Sequence, residues 1–404
     1  MLGSKTPKIW LGIREKSTMS SVTAGEYGPL IQKIRGLFGT EEFIPLHAPV
    51  FGGREKELLN ACIDSTFVSS VGEYVGAFEE SLARYVGAKH AVAVVNGTQA
   101  LFVALQLVGV GPGQLVLTQG LTFAATGNAI WYTGAEPYFL DADPETLGLD
   151  PVALERYLKE ETLERGGKRY DKTTGQGVGA VVPMHTFGFP VKIRQIAELC
   201  AAYGVPLVED AAESLGSLSQ GRHTGTFGTL GIFSFNGNKI ITTGGGGMIV
   251  TDDPALAKAA KHLTTTAKRP HKWEFFHDQL GYNFRLPNLN AALGVAQMEQ
   301  MDRFVESKRK LALEYQGILL GTGLKFLQEA PGDRANYWLN AVELPDLAHR
   351  ERFLEQTNEA KVMTRPLWTP LNLLPYNQQC RHDGLATSLW LYERMVNLPS
   401  SVRS

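Results

Sequence analysis

One lysine stands between an apolar run, Leu230 to Phe235, and four consecutive glycines, Gly244 to Gly247, in the stretch Ser234-Phe-Asn-Gly-Asn-Lys239-Ile-Ile-Thr-Thr. Glycine inside an element weakens it, so four together suggest a backbone that passes close to something. A lysine in such a place can be a Schiff-base nucleophile; the ordinary alternative is a surface lysine in a loop. Three further segments put chemistry-bearing residues where apolar strands end. Asn96-Gly97-Thr98-Gln99 leads directly into a helical pattern, so Gly97 and Thr98 offer N–H groups and a hydroxyl at a positive helix N-terminus, which suits a phosphate. A plain N-cap by Asn96 or Thr98 has the same signature. In Gly120-Leu-Thr-Phe-Ala-Ala125, Thr122 is placed to cap the next helix and Phe123 to offer a flat ring at the mouth of a sheet; a core phenylalanine is the alternative. In Val208-Glu-Asp-Ala-Ala-Glu213, Asp210 closes an apolar strand, where a carboxylate needs a partner. A protonated pyridine nitrogen is one such partner and stays an electron sink when so paired; an arginine or a helix cap is another. Glu213 lies three residues on, within reach of a neighbouring ring hydroxyl. Phosphate grip, stacking ring, strand-end aspartate and lysine are what pyridoxal phosphate requires, and the four together carry an argument that none carries alone.

The elements that must hold these residues alternate along the chain. Strands are expected at Ala91 to Val95, Leu115 to Thr118, Pro137 to Leu140, Gly179 to Met184, Pro206 to Glu209 and Met248 to Thr251. Helical periodicity falls between them, at Gln99 to Val108, Ala124 to Tyr132, Pro151 to Lys159, Ile193 to Tyr203 and Pro254 to Leu263. Such alternation implies a mostly parallel sheet covered on both faces, with ligands bound beyond the C-terminal strand ends. Before it come a short leading helix over Tyr27 to Leu37, an extended arm from Phe43 to Phe51, and helices at Arg54 to Ile63 and Tyr74 to Tyr85. Glu160 to Gly177 is polar and reads as an exposed insertion. Leu289 to Leu320 reads as one long helix leading into a smaller α+β domain.

Composition narrows the function classes. The chain has 404 residues, 44% hydrophobic and 20% charged, with a net charge of -2. That is ordinary for a globular protein and gives no general attraction to nucleic acid or an anionic membrane. Three scattered cysteines fit a reducing, cytoplasmic setting. The nine histidines show no metal-ligand spacing, so no metal is expected. No apolar run reaches the roughly 18 to 20 residues that span a bilayer. The polar N-terminus has no long apolar core of a signal peptide; residues 1–23 are expected to be a mobile extension, with Met19 as an alternative start.

Asn-Gly-Thr at 96–98, Glu-Asp-Ala-Ala-Glu at 209–213, Ser-Phe-Asn-Gly-Asn-Lys at 234–239 and Gly-Tyr-Asn-Phe-Arg-Leu at 281–286 together resemble the DegT/StrS nucleotide-sugar aminotransferases. The likeness runs from about Phe43 to the C-terminus. Phe-Val-Ser-Ser-Val-Gly-Glu-Tyr at 67–74, Pro-Met-His-Thr-Phe-Gly at 183–188, Asn-Tyr-Trp-Leu-Asn at 336–340 and Met-Thr-Arg-Pro at 363–366 are similar to the LegC-type branch. The resemblance implies a fold-type I α/β transferase, with a large cofactor domain over 24–280 and a small domain over 281–404. It implies pyridoxal 5'-phosphate as an internal aldimine on Lys239, with pyridoxamine phosphate as the intermediate carrier. Asp210 would pair with the pyridine nitrogen, Phe123 stack on the ring, and Gly97, Thr98, Gln99 and Ser234 grip the phosphate. Asn283 would reach the phosphate of the neighbouring subunit, making a homodimer. Glu213 departs from the histidine or glutamine common at this position.

The implied reaction moves an amino group from L-glutamate to the C4 ketone of a UDP-2-acetamido-2,6-dideoxy-hexos-4-ulose, toward bacillosamine or legionaminic acid. His185 is a candidate sugar contact or a satisfied core histidine. Lys268 and Arg269 are candidates for the UDP diphosphate or part of a solvated charge run. Tyr337, Trp338 and Arg365 are candidates for lining the sugar-nucleotide pocket. The alternatives are a pyridoxal-phosphate sugar dehydratase and a non-catalytic cofactor-bound sensor; relatives of those kinds lack the lysine present here.

Overall fold

The computed structural model describes residues 25–403, so the expected extension at 1–23 lies outside the described residues. Seven strands form the main sheet, in the order Glu136–Leu140, Gln114–Gln119, Gly177–Val182, Val208–Asp210, Leu230–Ser234, Gly247–Thr251 and His90–Val94. Two single bridges, Val181 to Leu207 and Met184 to Asp210, join its halves. All pairings are parallel except those of Gly247–Thr251, which runs against both neighbours.

Apolar residues alternate between the two faces, as period-two strands require. Val92, Val94, Val116, Ala180, Val182, Ile232 and Ile249 pack under the helices Gly97–Leu107 and Ala124–Tyr132. Phe233, Met248 and Val250 face the opposite way, onto Phe78, Leu82 and Ala291. Leu115, Leu117 and Val181 meet the helix Ile193–Tyr203 on that same side. With both faces apolar, the strands read as continuous hydrophobic runs.

The stretch Glu160 to Gly177 is an exposed hairpin, Thr162–Arg165 against Lys168–Asp171. The helix expected over Leu289 to Leu320 is instead two, Asn288–Met298 and Met301–Leu319, although neither proline nor glycine stands at the break. A second sheet, Lys325–Phe326, Asn340–Glu343, Met395–Leu398 and Arg365–Pro366, builds the smaller layer. The leading helix Gly28–Phe38 packs there: Tyr27, Ile31 and Ile34 share a core with Leu311, Tyr315, Phe353 and Val396. The sequence groups this helix with the large domain because periodicity shows that a helix has an apolar face but not which surface that face meets. No helix among the described residues is long and apolar enough to cross a membrane.

Candidate active site

The strand ends place the chemistry on one rim. Leu230–Ser234 and the antiparallel Gly247–Thr251 are the two sides of a hairpin, and Lys239 lies in the loop between them. The loop is closed by Phe235 N–H to Gly246 O (2.8 Å) and Thr243 N–H to Phe235 O (3.0 Å). The glycine run does what its composition implies: a Cβ on Gly247 would lie 2.5 Å from the carbonyl carbon and oxygen of Asn96. The hairpin therefore presses against the turn that opens the helix Gly97–Leu107. There Asn96 Oδ1 accepts the Gln99 N–H at 2.8 Å and caps the helix. The N–H groups of Gly97 and Thr98 have no acceptor among the described residues. Ser234 stands against this terminus, its Cβ 2.8 Å from where a Gly97 Cβ would be. Two open N–H groups and a hydroxyl at a helix N-terminus make an anion cradle.

Lys239 Nζ is 3.0 Å from Glu213 Oε1 and lies 4.1 Å above the Trp338 ring. Glu213 is buried, and its other oxygen accepts the Phe187 N–H at 2.9 Å. Burial pushes the Glu213 carboxyl above its ordinary range and outweighs the pull of Lys239. Asp210 is also buried, with Oδ2 accepting from the Thr126 hydroxyl at 2.8 Å and Oδ1 from Ala212 N–H at 3.2 Å. Burial raises it as well, and no cation among the described residues hydrogen-bonds it. A buried carboxylate short of a cationic partner, beside an anion cradle and a lysine, fits a protonated heterocycle bearing a phosphate.

Aromatic rings wall the site. Phe123 is half exposed and stands 6.0 Å from Trp368, which lies 4.8 Å from Phe187. Phe187 and Tyr337 both take left-handed backbone conformations, at φ 56° and φ 49°. For aromatic residues this costs on the order of 1–3 kcal/mol each and persists only when the surroundings fix it. Asn336 fixes the chain on either side of Tyr337: its side-chain amide donates to Glu213 O and Leu215 O, both at 2.8 Å, and its oxygen accepts the Trp338 N–H at 2.7 Å. Trp338 Nε1 then donates to Asn238 O at 2.7 Å, beside the lysine.

The structure thus gathers Gly97, Thr98, Gln99, Asp210, Glu213, Ser234, Lys239 and Trp338 at one rim, with Phe123 at its edge. The other candidates lie elsewhere in the single chain, and the readings of His185, Tyr337, Arg365 and Thr122 need correction. His185 is enclosed, with Nε2 3.1 Å from Glu209 Oε2 and Nδ1 accepting the Val191 N–H at 3.2 Å, so neither nitrogen is left for a sugar. Tyr337 is buried against Phe189, its hydroxyl accepting from Glu329 N–H. Arg365 is exposed on the small sheet and donates to Asn358 and Thr364. Thr122 caps nothing; its hydroxyl meets Thr126 Oγ1 at 3.0 Å. Asn283, Lys268 and Arg269 lie in a surface segment, where Asn283 Oδ1 accepts from Arg285, Lys268 covers Phe275 and Arg269 pairs with Asp278. None of these three hydrogen-bonds the Lys239 cluster. Sequence reasoning missed Thr126, Phe187, Trp368 and the hub role of Asn336; backbone handedness and cross-domain contacts leave no periodic signal.

Comparison with known proteins agrees with this geometry. The chain is 40% identical over 362 residues to EpsN of Bacillus subtilis (strain 168), which bears the name of a pyridoxal phosphate-dependent aminotransferase; the match spans 88% of this chain and 90% of that protein. It is 35% identical to a GDP-perosamine synthase of Escherichia coli O157:H7, over 89% and 93% of the two chains. The crystal structure of the aminotransferase TlmJ from Streptoalloteichus hindustanus superposes with a TM-score of 0.80 at 30% identity, covering 88% of this chain and 93% of that one. The profile of the DegT/DnrJ/EryC1/StrS aminotransferase family matches residues 50–403, and the chain belongs to that family.

Proposed function

We propose that the protein takes an amino group from L-glutamate and delivers it to the C4 ketone of a UDP-2-acetamido-2,6-dideoxy-4-keto-hexose. The product is a UDP-4-amino-sugar of the bacillosamine or legionaminic kind, used to build surface glycans. The observation that carries the reading is Lys239 against the buried Glu213 and Asp210, beside the open helix N-terminus at Gly97 and Thr98. Pyridoxal phosphate supplies an aldehyde for amines and a cationic ring that accepts electrons. The chain's residues do the rest. Gly97, Thr98, Gln99 and Ser234 bind the phosphate, Phe123 offers a stacking face, and Asp210 keeps a proton on the ring nitrogen. Lys239 Nζ removes a proton from the donor α-carbon and returns one to the sugar C4, a general base that becomes a general acid. Glu213 receives or holds the proton that Nζ sheds, which its raised affinity for protons favours.

Asn283 and Arg269 are exposed in the single chain and Lys268 partly so, which suits contact with the site of a second copy in a homodimer. The likeness to GDP-perosamine synthase favours a second reading in which the nucleotide is GDP. Incubation with L-glutamate and a panel of UDP- and GDP-linked 4-keto-sugars, with products solved by NMR, decides between them. Loss of water without gain of an amine would reject the transferase reading in favour of a dehydratase. A cofactor spectrum that L-glutamate does not change would leave a sensor.

A further inference from the structure

The lysine at the centre of the site rests on a ring that a distant segment of the chain supplies. Lys239 Nζ lies 4.1 Å from the centre of the Trp338 ring, and Glu213 Oε1 is its second partner at 3.0 Å. A cation over the face of a tryptophan is attracted by the ring quadrupole, most strongly where water is excluded. Water is largely excluded here: Trp338 is 4% exposed and the Lys239 side chain 11%. The other lysine over a ring among the described residues is placed differently. Lys268 lies 3.8 Å above Phe275, which is 78% exposed.

Trp338 is held at three points. Its backbone N–H donates to Asn336 Oδ1 at 2.7 Å, and its carbonyl accepts from Nζ of the fully buried Lys308 at 3.1 Å. Its indole N–H donates to Asn238 O at 2.7 Å. Asn238 directly precedes Lys239, so the edge of the ring grips the loop that carries the lysine while the face of the ring meets the amine. Tyr337, just before the tryptophan, keeps a left-handed backbone at φ 49°, a strain that persists only where the surroundings impose it. Filling a core needs neither a charge over the ring nor a bond from the ring edge to that charge's own loop.

We propose that Trp338 positions the working lysine: whenever the Lys239 amine is free of the cofactor, the ring holds it as an ammonium beside Glu213. The inference rests on the aminotransferase reading above and deepens it. In that reaction Lys239 Nζ takes up a proton and later gives one back, and an amine on a flexible stem loses its aim unless something holds it. Trp338 is thus a positioning residue that acts through Lys239, and sugar binding does not depend on it.

The test weakens the face of the ring while nearly keeping its shape. Tetrafluorotryptophan, introduced at position 338 by nonsense suppression, keeps the indole N–H but loses the negative face. In the full chain loaded with pyridoxal phosphate, kcat falls about tenfold. The KM values for L-glutamate and for the keto-sugar stay at wild type. Trp338→Phe, which keeps a face, loses less than Trp338→Leu, which keeps none. The second readout needs no turnover. In the cofactor-free chain, fluorination at 338 lowers the folding equilibrium constant about fivefold in urea unfolding. It has no effect in a Lys239→Met background, where no cation lies over the ring. Fluorination that leaves kcat unchanged, or that costs the same stability with and without the Lys239 amine, overturns the proposal. So does a raised sugar KM at constant kcat, which would make the ring a wall of the sugar pocket. Should Trp338→Leu fail to fold, the fluorinated protein decides alone. A wild-type enzyme that transfers no amine sinks the functional reading and this inference together; an active wild type whose kcat ignores fluorination sinks only the inference.

Discussion

Two adjacent carboxylates on one strand, Glu209 and Asp210, are both buried yet live in opposite circumstances. Successive side chains leave a strand on opposite faces. Glu209 turns to a closed node: its oxygens accept from Gly225 N–H at 2.8 Å and Gly228 N–H at 2.7 Å, and His185 Nε2 lies 3.1 Å away. Asp210 turns to the rim and finds a hydroxyl and an amide, but no cation among the described residues hydrogen-bonds it. Glu213 and Lys239 beside it pair with each other at 3.0 Å. The difference teaches that burial of a carboxylate is not what marks function. A group whose needs are met within the chain holds the fold, and a group left short of a partner is waiting for one.

The comparison can be broken most sharply at Lys239. Lys239→Ala should abolish turnover and, with it, the absorbance of lysine-bound pyridoxal phosphate, both read from one spectrophotometric assay. Full activity in that variant would end the account of the rim. The next largest effect separates the two neighbours. Asp210→Asn should lower kcat about 100-fold or more, since the charge that holds the ring proton is gone. Its melting temperature should hold or rise, because a costly buried charge has been relieved. Glu209→Gln should do the reverse. It sets an amide N–H against backbone N–H groups and should cost about 2 kcal/mol in urea unfolding, with kcat of the folded enzyme close to wild type. If both variants lose stability alike and activity alike, the contrast between the nodes is empty.

The smallest effect sharpens the reading of Glu213. Burial raises its carboxyl above the ordinary value of 4.5 in the cofactor-free protein. A raised value in the fold means that the stability it contributes is full below 4.5 and is lost as pH rises through the folded value. Glu213→Gln should therefore gain on wild type as pH climbs from about 4.5, in urea unfolding of the cofactor-free chain. Its kcat should fall about tenfold if the carboxyl manages the Lys239 proton. A stability difference that is flat with pH would show that the carboxyl is not raised.

Much of this molecule is legible in the order of its residues. The alternation of apolar runs with helical periods demanded a covered parallel sheet, and the strand ends were where Asn96, Asp210, Ser234 and Lys239 had to stand. The glycines at 244–247 announced a close passage, and Asn96 is what they pass. Local pattern could reach that far because it reports which residues want burial and where an element must end. It could not say that Gly28–Phe38 joins the small layer, that the Leu289 to Leu320 stretch breaks in two, or that His185 closes on Glu209. Nor could it find the left-handed turns at Phe187 and Tyr337 or the hub at Asn336. Those depend on groups hundreds of positions apart meeting in space, and whether a polar atom is satisfied is a property of the assembled neighbourhood, which only the tertiary structure decides.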